Sequence, residues 1–347
     1  MKKYYSLNLL IFFHLICITP LSADNIKIVT DMDGNKVEVP VNPKKIANLH
    51  GPSFDRIIML GKVDRLALIS LEASPWANKL YPQIKNIPIM KSYIDVDVEQ
   101  MLKHKVELVF YSLHAQPAEK LNLVGIKTAN AFAANKRPKT IPEFIDNFKN
   151  QIKFFGEVLG QDAKIKAEKY CQYYDKVMSK VLLITSKINI NKRPNVYYAM
   201  SEDLFSTQGK DTIMQWYTVI AGGIFLTQNI DKDFPKVSME QIISWNPDII
   251  LIGYHASDKI LTKKSNWSDI KAVKNKNIYR MPKGIFLWDL GSGESVLLPL
   301  YLAKKFHPEL FKDWDLIKEM KKFYAEIYEK KITTLDAERI LQGLPPI

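Results

Sequence analysis

Three imidazoles, those of His50, His114 and His255, are the side chains of this sequence best suited to hold a metal complex. Neutral imidazole is a common ligand for nickel, cobalt, copper, zinc and iron. Each of the three closes a short hydrophobic run: "KIANL" before His50, "ELVFYSL" before His114 and "DIILIGY" before His255. Aromatic residues gather on the loops predicted to face a ligand cleft, namely Tyr93, Tyr111, Tyr254, Phe286 and Trp288. Flat rings suit a chelate with aromatic or imidazole groups, and a tyrosine hydroxyl can bond to one. Arg137, in "AANKRPKT", can clamp a carboxylate or a catecholate through two parallel hydrogen bonds. Lys91, Lys210 and Lys283 are further cations of the same kind, while His104 and His307 read as structural. The chain carries no H-E-x-x-H, no G-x-S-x-G and no glycine-rich phosphate loop, which argues against an exported metallo-enzyme using the same histidines.

The elements that must carry these residues are written twice. "VEQMLKHKVELVFYSLH" runs from Val98 to His114 and "MEQIISWNPDIILIGYH" from Met239 to His255; Glu99 lies 15 residues before His114, and Glu240 lies 15 before His255. Each stretch predicts a helix, a turn and a strand whose end carries the histidine. Ligands of open parallel sheets bind beyond the carboxyl ends of strands, so the histidine loops are expected to face one cleft from opposite sides. The two glutamates are expected on the outer rim. Around the repeats, hydrophobic runs alternate with amphipathic segments, which predicts α/β lobes with mainly parallel sheets. "GPSFDRIIMLG" predicts a helix capped by Ser53 and stopped at Gly61. From Thr140 to Ile190 no strand is predicted: one helix ends at Gly160 and a second runs on without Gly or Pro. The expected organisation is a lobe over 24–140, connecting helices over 141–190, and a second lobe over 191–347 with a C-terminal helical extension. A stiff helical connection should hold a ligand cleft between the lobes.

Residues 1–23 predict a signal peptide: a basic start, an apolar stretch from Leu7 to Thr19 too short for a comfortable span, and cleavage after Ala23. Ile16 stands where a lipoprotein box needs a small residue, so anchoring through Cys17 is not expected. Export removes Cys17, leaves Cys171 alone, and lowers the net charge from +12 to +10 with the loss of Lys2 and Lys3. The expected location is the periplasm, which makes nucleic acid an unsuitable partner; the basic surface suits anionic ligands or envelope surfaces.

The chain resembles the periplasmic substrate-binding proteins that serve ABC importers of iron-siderophores and cobalamin. "VTDMDGNKVEVPVNPKKIANL" is similar to the family's opening hairpin and first strand, and "MLGKVDRLALIS" to its LG signature. "VEQMLKHKVELVF" and "VSMEQIISWNPDIILI" match its two helix–strand segments, and "GKDTIMQWYTVIAGG" is similar to the opening of its second lobe. The resemblance covers nearly the whole mature chain. It implies two Rossmann-like lobes joined by a long rigid helix, no catalytic activity, and a monomer that delivers cargo to a permease dimer in the inner membrane. It also implies that Glu99 and Glu240, one per lobe, dock on that permease. No permanently bound cofactor is implied; the transported ligand is a metal chelate, either a ferric siderophore or a Ni²⁺ or Co²⁺ complex. The loop "TQNIDKDFPKVS" carries no histidine and "FLWDLGSGE" has tryptophan in place of tyrosine, departures that favour a softer divalent metal. Haem or cobalamin remain alternative cargoes of the same family.

Overall fold

The computed structural model describes residues 25–90, 92, 95–112, 118–132, 137–253, 255–257 and 265–347. The expected signal peptide therefore lies outside the described residues. The chain opens with an antiparallel hairpin, β1 (Ile26–Thr30) and β2 (Lys36–Pro40), whose turn is held by Asp31 Oδ1 accepting from Asp33 N and Asn35 N. Eight further strands follow: β3 (Ile46–Asn48), β4 (Leu66–Ile69), β5 (Leu108–Tyr111), β6 (Lys127–Asn130), β7 (Asn195–Ala199), β8 (Ile224–Phe225), β9 (Ile249–Ile252) and β10 (Ile278–Arg280). They form two four-stranded parallel sheets, ordered β4-β3-β5-β6 and β8-β7-β9-β10. In both, the first strand of the lobe is flanked by the second and third, and the fourth lies outside the third. The central strands "IAN" (β3) and "IILI" (β9) are buried along their whole length, as parallel strands covered on both faces must be.

The sequence repeat is thus a repeat of topology, and it extends to the backbone. Helices α1 (Gly51–Met59), α2 (Pro75–Leu80), α3 (Val98–Lys103) and α4 (Ala118–Asn122) belong to the first half. Helices α5 (Ile141–Leu159) and α6 (Gln161–Thr185) connect it to α7 (Ile213–Ile220), α8 (Met239–Trp245) and α9 (Lys271–Lys274) of the second. After α3 the chain turns at Lys105 (φ 53°), and after α8 at Asn246 (φ 43°), each six residues past its glutamate. A left-handed residue there reverses the chain from helix into strand. Asn tolerates this better than Lys because its short amide can hydrogen-bond to the nearby backbone.

The connection is a helical hairpin. Thr140 Oγ1 caps α5 by accepting from Glu143 N, and Gly160 (φ 108°) turns the chain into α6. A methyl at Gly156 would stand 2.7 Å from Ala167 Cβ, so the two helices pack in close contact there. The 25 residues of α6 span roughly 37 Å at 1.5 Å each. Cys171 lies buried on α6, and burial pushes its thiol up to about 11, which leaves it unreactive at neutral pH. Among the described residues no helix is long and apolar enough to cross a membrane.

One apolar core runs through both halves, from Val29 and Val39 of the hairpin through Phe148, Phe155, Tyr170 and Tyr174 to Tyr217, Leu300 and Phe323. Two smaller cores lie on the sheets' other faces, one around Val109 and Met101, the other around Ile250 and Trp267. The last helices, α10 (Leu298–Phe306), α11 (Leu316–Ile327) and α12 (Thr334–Leu341), cross back to the first half. There Trp76 Nε1 donates to Leu344 O (2.8 Å), Tyr81 Oη to Tyr328 O (2.9 Å), and Lys79 pairs with Asp336 (2.8 Å).

Where the halves meet, two carboxylates are fully buried. Asp55, on α1, accepts from Gly293 N (2.6 Å) and Tyr328 Oη (2.7 Å); Glu294 accepts from Phe286 N (3.0 Å) and from the Tyr324 hydroxyl. Arg56, equally buried, donates to Gly291 O (3.1 Å) and lies over the rings of Phe148 and Phe155. Burial raises both carboxyl pKa values, and for Glu294 the nearby Asp55 charge raises it further. A carboxyl whose pKa is raised by folding favours the folded state most below its ordinary value, here 3.8 and 4.5, and loses that contribution as pH rises. Thermal melting points should therefore fall as pH rises above the ordinary carboxylate range. Glu294→Gln, which cannot ionise, should flatten the decline, and an unchanged slope would show that Glu294 does not drive it.

Candidate functional site

The carboxyl ends of both sheets turn toward each other, and the side chains they carry define a cleft. On the first wall, His50 follows β3 and stands at the N-cap of α1. Its Nδ1 meets Ser53 Oγ at 2.6 Å and its ring lies 5.6 Å from that of Phe132. Ser53 is thus not the cap expected from sequence; it sits in the first turn and orients the imidazole. Asn48 fixes the same loop by donating from Nδ2 to His50 O (2.8 Å). Tyr111 ends β5 half-buried. Burial, then the charges of Asp31 and Asp33, raise its pKa, so it is a neutral hydroxyl suited to hydrogen bonding rather than a ready phenolate.

On the second wall a cavity of about 810 Å³ opens beside the ends of β7 and β9, lined by Met200, Ser201, Glu202, Ser206, Phe234 and His255. His255 is exposed there. His50 and His255 thus stand at strand ends of opposite halves. His114, Tyr93, Tyr254 and Lys91 lie outside the described residues. Among the described residues no three His, Cys, Asp or Glu side chains converge where a metal ion could sit.

The two ends of the cleft are closed differently. On the β4 side, the loop after β10 docks on the first half. Ser74 Oγ lies 2.8 Å from Gly284 O and 3.0 Å from Ile285 O while also capping α2 through Ala77 N. Phe286 packs so close to α1 that a methyl at Gly51 would stand 2.8 Å from its ring. On the β6 side, the strap before α5 reaches the second half through ion pairs: Arg137 with Asp233, and Lys139 with Asp211 (2.5 Å).

One site expectation needs correction: Trp288 does not face the cleft but is fully buried in the shared core. Arg137 is paired with Asp233. Lys210 is exposed, and its N–H donates to Ile230 O (2.9 Å); Lys283 lines a cavity of about 120 Å³ with Arg280 and Asp289. His104 ends α3, and His307 bonds Gly222 O (3.0 Å), with burial lowering its pKa. Sequence reasoning missed Ser74, Asp211 and Asp233, whose partners lie far away along the chain. Glu99 and Glu240 are exposed in the first turns of α3 and α8, behind the caps Asp97 and Ser238. A four-residue link (104–107) joins α3 to β5 and a three-residue link (246–248) joins α8 to β9, so each helix runs back along its strand with its glutamate at the end away from the turn.

A family model described as "Periplasmic binding protein" matches residues 46–284, from β3 to the loop that seals the cleft. The chain belongs to that family. It is the substrate-binding component of an ABC importer. The molybdate-binding protein MolA of Haemophilus influenzae is 23% identical over 90% of this chain and 94% of its own length. The structure of MolA bound to molybdate superposes with a TM-score of 0.79 at 20% identity, covering 88% of this chain and 99% of that one. A periplasmic solute-binding protein of Veillonella parvula superposes at 0.73 with 26% identity, covering 91% and 97%. Helicobacter pylori CeuE with Ni(II) bound superposes at 0.71 with 20% identity, covering 91% and 99%.

Ser74 serves both as helix cap and as a bridge between the halves. Ser74→Ala should lower stability by roughly 1–2 kcal/mol, since a lost cap costs about 1 and a lost hydrogen bond about the same. Urea unfolding measures this; a change below about 0.5 kcal/mol would mean the bridge contributes nothing.

Proposed function

We propose that this periplasmic binding protein captures a small metal complex in the cleft and hands it to a permease dimer in the inner membrane, without catalysis and without a resident cofactor. The observation that carries the reading is the donor set: imidazoles on opposite walls and a guanidinium at one end, with no three metal ligands converging among the described residues. A bare ion would be under-coordinated in such a site. A complexed metal brings its own ligands and needs one or two from the protein, with the rest of its surface met by hydrogen bonds and rings. His50 and His255 supply the imidazoles here, and His114 and Tyr254, by their sequence positions, extend the same loops. Nickel or cobalt chelates suit this nitrogen-rich set better than ferric siderophores. Molybdate, carried by the Haemophilus relative, is the second reading, favoured by Arg137.

Calorimetric titration tests the reading with five probes: free Ni²⁺, Ni²⁺ with excess L-histidine, a ferric catecholate, molybdate and cobalamin. Tight binding of the nickel–histidine complex, weakened at least tenfold by His255→Ala, His50→Ala or His114→Ala, is the expected result. Binding of molybdate alone would move the protein to oxyanion transport, and unchanged affinity in all three histidine variants would remove the imidazoles from the site.

Glu99 and Glu240 are exposed, one per half, and exposed charged groups of this kind set orientation and association rate more than affinity. They are the proposed permease contacts. Reversing both, Glu99→Lys with Glu240→Lys, should cut uptake of cargo by cells at least tenfold while cargo affinity stays unchanged. Uptake at the wild-type rate would place docking elsewhere.

A further inference from the structure

The two ion pairs that join the strap to the second half are not equivalent. Lys139 meets Asp211, whose side chain is 7% exposed and whose own N–H donates to Gln215 Oε1 (2.6 Å) on α7. Removing Lys139 would leave that carboxylate buried without its cation, which is costly. This pair is an anchor. Arg137 meets Asp233 with 35% and 47% of the side chains exposed. A pair so wet and screened contributes little, and a competing anion can replace either partner.

Asp233 is nonetheless held in place. Its loop, after β8, is joined to the 207–210 segment by Thr207 N to Pro235 O (3.0 Å), Gly209 N to Asp233 O (3.1 Å) and Lys210 N to Ile230 O (2.9 Å). The approach is close enough that a methyl at Gly209 would stand 2.0 Å from Lys232 O. The next residue, Phe234, is 56% exposed and lines the same cavity as His255. A carboxylate on a rigid loop, weakly paired across the cleft mouth to the one guanidinium the sequence singled out, has the chemistry of an internal stand-in for cargo.

We propose that Asp233 is the competing counter-ion that sets the selectivity of the cleft for anionic cargo: it occupies Arg137 until a carboxylate or oxyanion on the cargo displaces it. The inference rests on the reading of the cleft as the cargo site and narrows the cargo to complexes carrying such a group. Species without an anionic group gain nothing from Arg137 and face the Asp233 charge instead.

The test compares wild type, Asp233→Asn, Arg137→Ala and the double variant by calorimetry, using molybdate, Ni²⁺ with L-histidine, and free Ni²⁺. Circular dichroism of each variant, with Asp233→Ala as a second removal of the charge, checks the fold. Asp233→Asn should tighten the anion-bearing probe that wild type binds by about two- to fivefold, the range an exposed pair contributes, without tightening free Ni²⁺. Arg137→Ala should weaken that probe and abolish the gain in the double variant. Equal affinity in wild type and Asp233→Asn overturns this inference alone. Failure of every probe to bind both proteins overturns the cargo reading with it.

Discussion

A single hydrogen bond ties together parts of the chain 238 residues apart: Gly293 N donates to the buried carboxylate of Asp55. Everything in the cleft is referred to that point. The bond sets α1, and with it His50, against the segment that ends in the last helices. Gly293 has no room for a side chain, because a methyl would stand 2.6 Å from Met59 Sδ and 2.9 Å from Tyr328 Oη. Glu294, the next residue, then takes the Phe286 N–H, so the loop that closes one end of the cleft hangs from the same seam. Buried charge of this kind is tolerated only where every partner is in place, which is why the halves meet in one arrangement.

The seam also limits motion. A continuous core, the α5–α6 hairpin and helices that cross between the halves all resist a wide hinge. What can give at the other end is the exposed Arg137–Asp233 pair, beside the Lys139–Asp211 anchor. Domain closure in binding proteins requires a ligand that contacts both sides better in one state than the other. Here the stiff end supplies geometry and the loose end supplies the response to charge.

The sequence made the sheets legible because parallel strands buried on both faces read as unbroken hydrophobic runs, and because the repeat places two such strands at one spacing. The connecting helices were legible from periodicity and from Pro142 and Gly160. Other features depend on contacts distant along the chain. Nothing in "GPSFDR" marks Asp55 as buried, and nothing in "FLWDLGSGE" marks Trp288 as core instead of cleft, since both outcomes are set by helices that arrive at the end of the chain. Asp233 escaped notice for a related reason: an aspartate in a polar loop carries no pattern, and its meaning comes only from the arginine facing it.

Every described side chain assigned here to cargo sits on a loop beyond a strand end, and none of them holds the shared core together. Substitutions at such positions usually change stability by less than about 0.5 kcal/mol. Cargo preference can therefore drift by point mutation while the scaffold stays fixed, with no folding penalty to purge the intermediates. Proteins holding molybdate and Ni(II) share this architecture at 20% identity.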